Sequence, residues 1–197
     1  MQWGSATVFT DDGRRTTNDA RRITDNRYAM EPESIRILVT GGTFDKDYDE
    51  IAGELYFKDT HVRDMLRLGR CHLRVNVTTL MMIDSLHMTG DDRQLILEHC
   101  LRAEERCIVV THGTDSMEQT AAVLGRRITD KTVVLTGAMV PYTFGSSDGL
   151  FNLGTALAFV QTLSPGVYVA MSGRRFSWRR VRKNREIGVF EESPEQS

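Results

Sequence analysis

The sequence predicts an α/β domain: a three-layer, open, mostly parallel sheet with helices on both faces. Two observations carry this. Short apolar runs rich in β-branched residues alternate with segments of helical period through most of the 197 residues. The runs are also continuously apolar, without the polar alternation of a half-exposed strand, as strands buried on both faces must be.

The strands fall at 35–39, 73–77, 107–110, 132–135 and 167–171. Between them, 59–68 carries Val62, Met65, Leu66 and Leu68 at helical spacing. The segment 89–102 opens with a Thr-x-x-Asp capping signal and places Leu95, Ile96 and Leu101 on one side. The segment 116–124 has a Ser-x-x-Gln cap, a stripe of Met117, Ala121 and Leu124, and Gly125 as a stop. A last helix over 148–163 ends at Ser164-Pro165-Gly166.

Both ends differ from this pattern. Residues 1–33 are rich in Arg, Asp, Thr and Asn without apolar period and read as a flexible extension. The organised domain spans 34–190, and residues 191–197 read as a frayed acidic tail.

Composition narrows the function. Hydrophobic residues make up 40% and charged residues 26%, and the net charge is -2. That balance argues against general attraction to nucleic acid, and no stretch approaches a membrane span in length. The N-terminus lacks the basic start and apolar core of a secretory leader, and Cys71, Cys100 and Cys107 form an unpatterned odd set, so reduced thiols in the cytoplasm are expected. The five histidines have no metal-ligand spacing, and neither a metal nor a cofactor is expected. The basic run RRFSWRRVRKNR at 174–185 reads as a solvated or interface segment, with Phe176 and Trp178 as anchors.

Four strand ends look alike: ILVTGG, IVVTHG, VVLTGA and YVAMSG each close on a hydroxyl residue followed by small or turn residues. Open α/β sheets bind ligands at the carboxyl ends of their strands. Glycines there allow sharp bends and let backbone N–H groups approach a ligand. Thr43 would stand on that edge, where a nearby base could make its hydroxyl a nucleophile. TGGTFDKD lacks the spacing of a phosphate-binding loop. In THGTDSMEQTAA, Thr114 and Asp115 sit at a strand-to-helix turn, where Asp115 is either a helix cap or a grip for an ammonium group. Lys131 begins the next strand; it is either a surface lysine or, buried beside Thr114 and Asp115, a base.

TGGTFD, MIDSLHMT, THGTDSMEQTAA, DKTVVLTGAMVP and SSDGLFNL together resemble the ordered motifs of the bacterial L-asparaginase/glutaminase family, over roughly residues 35–190. The resemblance implies that family's flavodoxin-like N-terminal domain and hydrolysis of L-asparagine, with glutamine a lesser substrate. It implies Thr43 as nucleophile, with Thr114, Asp115 and Lys131 assisting proton transfer and binding, and Tyr48 as a lid tyrosine on a polar, mobile stretch. Substrate-binding positions implied are Ser85, Asp84, Thr114, Asp115, Gly42, Gly113 and Ala138, with Ser85 on the α-carboxylate and Asp115 on the α-ammonium. The partners implied are the small-molecule substrate and further copies of the chain, as a dimer or tetramer. Most members carry a second domain that lends an acidic residue to a neighbouring site. This chain is expected to be a short form without it, binding substrate more weakly. Leu86 and Val140 stand where relatives have polar and basic residues, which bears on substrate preference.

Overall fold

The computed structural model describes residues 34–193. The extension expected over 1–33, and residues 194–197, lie outside the described residues. In chain order the elements are β1 (Ile35–Gly41), β2 (Lys46–Asp49), β3 (Glu54–Phe57), α1 (Val62–Leu68), β4 (Val75–Ile83), α2 (Gly90–Arg102) and β5 (Cys107–Thr111). There follow α3 (Met117–Gly125), β6 (Thr132–Thr136), α4 (Gly149–Thr162), β7 (Gly166–Met171), β8 (Arg174–Ser177), β9 (Val181–Asn184) and β10 (Val189–Glu192).

The main sheet runs β4-β1-β5-β6-β7-β8. Its first five strands are parallel, and β8 returns antiparallel along β7. Counting the parallel strands in chain order gives 2-1-3-4-5, the flavodoxin-like winding whose topological switch point lies between β1 and β5. Each face has its own core. Leu38, Ile108, Val110, Val133 and Leu135 pack with Ile96, Leu97 and Leu124 of α2 and α3. Ile37, Val39, Val109 and Val134 pack with Met65, Leu153, Ala156 and Val160 of α1 and α4. Alternate side chains of one strand therefore enter opposite cores, which is why the strands are apolar without interruption.

The capping signal at α2 holds: the Thr89 hydroxyl accepts from Asp92 N–H, and Asp92 accepts from Thr89 N–H at 2.8 Å. The expected cap of α3 does not form. Ser116 Oγ instead donates to Ser85 O at 2.6 Å, tying the start of α3 to the end of β4.

Two hairpins escape the strand pattern. The acidic stretch after Thr43 is not an irregular loop but the antiparallel pair β2–β3. Its carboxylates do local work. Asp45 is fully buried and accepts from Thr60 Oγ1 (3.0 Å) and His61 N–H (2.9 Å). Asp47 lies 3.2 Å from His61 Nε2, and Asp49 accepts from the N–H groups of Ile51 and Ala52 in the turn. Drawing 59–61 towards Asp45 delays α1 to Val62. The other hairpin is β9–β10, in which Glu191 and Glu192 pair with Arg182 and Arg180, so the expected acidic tail begins inside a strand. In the basic run, Phe176 is buried in β8, and Trp178 lies flat on Gly125 with Arg179 stacked on its ring.

Candidate active site

Two of the strand-end hydroxyls serve the sheet. Thr40 Oγ1 donates to Thr111 O at 2.8 Å and Thr136 Oγ1 to Ala170 O at 2.9 Å, both buried, stitching neighbouring strands where the ladder ends. The reactive candidates come from the turns just beyond.

Those turns meet because two glycines let backbone touch backbone. Gly41 and Gly42 have φ of 92° and 87°, a region that side chains strain to adopt. A Cβ on Gly42 would lie 2.4 Å from the nitrogen of Gly113. One on Gly113 would lie 2.5 Å from Ser85 Oγ. The turns after β1, β4 and β5 thus converge at the switch point, and Thr43 and Thr114 each follow one of the touching glycines.

A lysine from the far hairpin completes the cluster. Lys183 of β9 donates from Nζ to Thr114 Oγ1 at 2.8 Å and to Asp115 Oδ1 at 2.7 Å. Its side chain is 7% exposed, while that of Asp115 is 38% exposed. Glu118 of α3 accepts from Lys183 N–H at 2.9 Å and Arg185 donates to Asp115 O at 3.0 Å, fixing the hairpin on the start of α3.

This corrects the reading of Lys131. Lys131 immediately precedes β6, at the opposite end of the sheet from the ligand edge. Its Nζ donates to the carbonyls of Cys100 (3.0 Å), Leu101 (3.2 Å) and Ala103 at the C-terminus of α2. A buried cation there satisfies carbonyls that the helix leaves open and complements its dipole. It is a structural cap, and Lys183 occupies the place expected for it.

The other expected residues sort by geometry. Thr43 is half-buried in a single 3₁₀ turn (Thr43–Asp45) on the ligand edge, and Thr114 is 5% exposed. Ser85 is 2% exposed, with its hydroxyl shielded beneath Gly113 and unbonded among the described residues. Asp84 pairs with Lys46 Nζ at 2.5 Å. Burial opposes ionisation there, but the Lys46 hydrogen bond, the Leu86 N–H and the Lys46 charge outweigh it and hold the Asp84 carboxyl below the usual range. Tyr48 lies in β2, 54% exposed, edge-on to Phe144. The Ala138 methyl sits in the core, leaving only its backbone for a ligand.

Three supporting residues went unnoticed in the sequence. Asn152 of α4, fully buried, donates to Gly137 O and Asp148 Oδ2 and accepts from Ser172 N–H, clamping the ends of β6 and β7. Asp148 also accepts from Met139 and Val140 N–H, holding the loop after β6. His112 is enclosed, one nitrogen 2.7 Å from Gly113 O and the other 2.8 Å from Thr120 Oγ1. Burial pushes its pKa down to about 4, so it is neutral at pH 7. The Gly113 carbonyl must accept, which places the imidazole proton on Nδ1 and lets Nε2 accept from Thr120.

The family model described as "Asparaginase, N-terminal" matches residues 34–191. The L-asparaginase of Thermococcus kodakarensis is 32% identical, over 78% of this chain and 48% of that protein. A probable periplasmic L-asparaginase of Haemophilus influenzae is 41% identical, over 82% of this chain and 49% of its own length. Among solved structures, the thermostable L-asparaginase of Thermococcus kodakarensis superposes with a TM-score of 0.72 at 30% identity, covering 82% of this chain and 52% of that one. The probable cytoplasmic L-asparaginase of Campylobacter jejuni gives 0.71 at 30% identity, covering 81% and 53%. The chain spans about half the length of these relatives. The converging turns at the switch point and the family match over 34–191 lead to one conclusion: this chain belongs to the asparaginase family, through its N-terminal domain.

Proposed function

We propose that the protein is an amidohydrolase that converts L-asparagine to L-aspartate and ammonia through a threonyl acyl-enzyme, with L-glutamine a minor substrate. The observation that carries this is Lys183 Nζ bridging Thr114 Oγ1 and Asp115 Oδ1, one residue beyond the glycine on which the Thr43 turn packs.

Thr43 Oγ1 attacks the side-chain amide carbon. The C–O bond forms, the carbonyl becomes an oxyanion, and the hydroxyl proton passes to Thr114 Oγ1 as Thr114 hands its own proton to Lys183 and Lys183 gives one up to Asp115. Collapse of the tetrahedral species returns a proton to the nitrogen, breaks the C–N bond and frees ammonia. Water then attacks the ester, releasing aspartate and regenerating Thr43. Asp115 keeps Lys183 in place and offers its second oxygen to the substrate ammonium. The buried hydrogen bonds of His112 and Asn152 hold the turns, so the groups meet substrate already oriented.

A homo-oligomer belongs to the same proposal: Tyr48, Leu86, Phe144 and Ile187 leave apolar surface exposed on the turns and hairpins at the ligand edge. A reducing, cytoplasmic setting is supported by three free cysteines.

Ammonia release from asparagine and glutamine, with and without Thr43→Ala, tests the reading. The substitution should lower kcat by roughly a thousand-fold or more. Hydroxylamine added to the wild-type reaction should divert the acyl-enzyme to aspartyl β-hydroxamate. Ammonia release undiminished in Thr43→Ala would remove Thr43 as nucleophile.

A further inference from the structure

Resting on that reading, we propose that Lys46 is a specificity-determining residue: held on Asp84, it lets the turn after β4 accept the substrate's carboxylate. That carboxylate is expected on Ser85, yet the turn has little of its own to offer an anion. Its N–H groups are spent within it: Leu86 N–H donates to Asp84 Oδ1 (3.0 Å), His87 N–H to Asp84 O (2.9 Å) and Met88 N–H to Ser85 O (3.4 Å). Its one carboxylate, Asp84, would repel a second. What remains is the Ser85 hydroxyl, buried and without a hydrogen-bond partner among the described residues, an orphan that a carboxylate oxygen would satisfy.

Lys46 supplies what the turn lacks. It closes the 3₁₀ turn of Thr43, its N–H donating to Thr43 O, and it starts β2. Its Nζ crosses to Asp84 Oδ2 at 2.5 Å and lies 5.7 Å from the centre of the Phe57 ring of β3. One residue thus joins the backbone of the Thr43 turn to the neighbour of Ser85. The two side chains are 18% and 25% exposed, so solvent screens the pair only in part. The charge of Asp84 is cancelled, and the remaining N–H groups of the ammonium have no acceptor among the described residues. An ammonium with donors to spare, tied to the neighbour of an unbonded hydroxyl, suits a carboxylate. The hairpin is braced on its other flank, where Thr143 Oγ1 donates to Lys46 O at 3.3 Å and Tyr48 meets Phe144 edge-on. Lys46 is therefore in place before substrate arrives. The substrate class implied is a side-chain amide bearing a carboxylate, whether or not it also bears an α-amine.

Three amides separate the charges: L-asparagine, succinamate, which lacks the amine, and 3-aminopropanamide, which lacks the carboxylate. Lys46→Met should raise KM for the first two by roughly 10- to 100-fold, with a smaller change in kcat, and should not raise it for the third. Adding Asp84→Asn to Lys46→Met should recover much of the loss, because the stranded carboxylate is removed, and Lys46→Arg should retain most of the affinity. An amide that the wild type does not turn over is read as a competitive inhibitor, by Ki in place of KM. Equal losses on all three amides, as a merely structural prop would give, would overturn the assignment. So would no loss on any, or a double variant no better than Lys46→Met. If the wild type releases ammonia from no amide, calorimetric binding of L-aspartate decides. Affinity that falls in Lys46→Met and returns in the double variant keeps the carboxylate role of Lys46 while the hydrolase reading fails. Aspartate binding that is then absent, or the same in every variant, ends the assignment.

Discussion

Exchanging Lys131 and Lys183 separately for Met tests the placement of the catalytic lysine. Both lysines are buried, and Met keeps much of the stem volume while deleting the charge. At Lys131, three carbonyls of the α2 C-terminus lose their donor. A cation at a helix end is worth up to about 2 kcal/mol in partly buried geometry, and orphaned buried acceptors add to the loss. A destabilisation of about 2 kcal/mol should lower Tm by roughly 4–8 °C for a domain of this size. Turnover at a temperature where the variant stays folded should be unaffected. At Lys183 the balance reverses. Its partner Asp115 is 38% exposed, so solvent screens much of the ion pair, and the stability change should be at most about 1 kcal/mol. The proton route through Thr114 is lost, and kcat should fall roughly 10²- to 10⁴-fold. Scanning calorimetry and an ammonia-release assay on both variants measure the two quantities. The reasoning is refuted if Lys131→Met abolishes turnover while folded, or if Lys183→Met leaves kcat intact.

Two further predictions follow from the backbone and the buried titrating groups. Gly42→Ala would set a methyl 2.4 Å from Gly113 N at a φ of 87°; strain and overpacking together should cost about 2–5 kcal/mol, read by urea unfolding, and turnover should fall with it. Burial raises the Asp45 pKa from 3.8 to about 6, so the stability tied to its protonated form is lost as pH rises from roughly 4 through 6. Burial lowers the His112 pKa from 6.5 to about 4, so the stability tied to its neutral form is present above pH 6.5 and lost as pH falls towards 4. The two slopes, each up to about 1.4 kcal/mol per pH unit, oppose one another between pH 4 and 6. Asp45→Asn should therefore turn a nearly flat wild-type profile into one that rises with pH over this range; an unchanged profile would discount the buried carboxyl.

The parallel sheet, its two covering helical layers and the turns carrying Thr43 and Thr114 were legible in the sequence. They follow from local chemistry: two-sided burial writes uninterrupted apolar runs, and glycines mark where the backbone must turn. The β2–β3 hairpin was not legible, because its alternation is masked by carboxylates such as Asp47, which answers to His61 rather than to solvent. Assigning the lysine needed the tertiary structure for a similar reason. Lys131 and Lys183 look alike as residues, and neither the motif near Lys131 nor the arginine-rich run around Lys183 says which end of the sheet each amine reaches. Sequence alone placed the glycines and hydroxyl residues at the carboxyl ends of the strands, whereas the strand order that gathers the turns after β1, β4 and β5 at the switch point came from the fold. Only the folded chain decided which cation joins them, because Lys183 lies 69 residues from Thr114 and meets it through a hairpin that packs on α3.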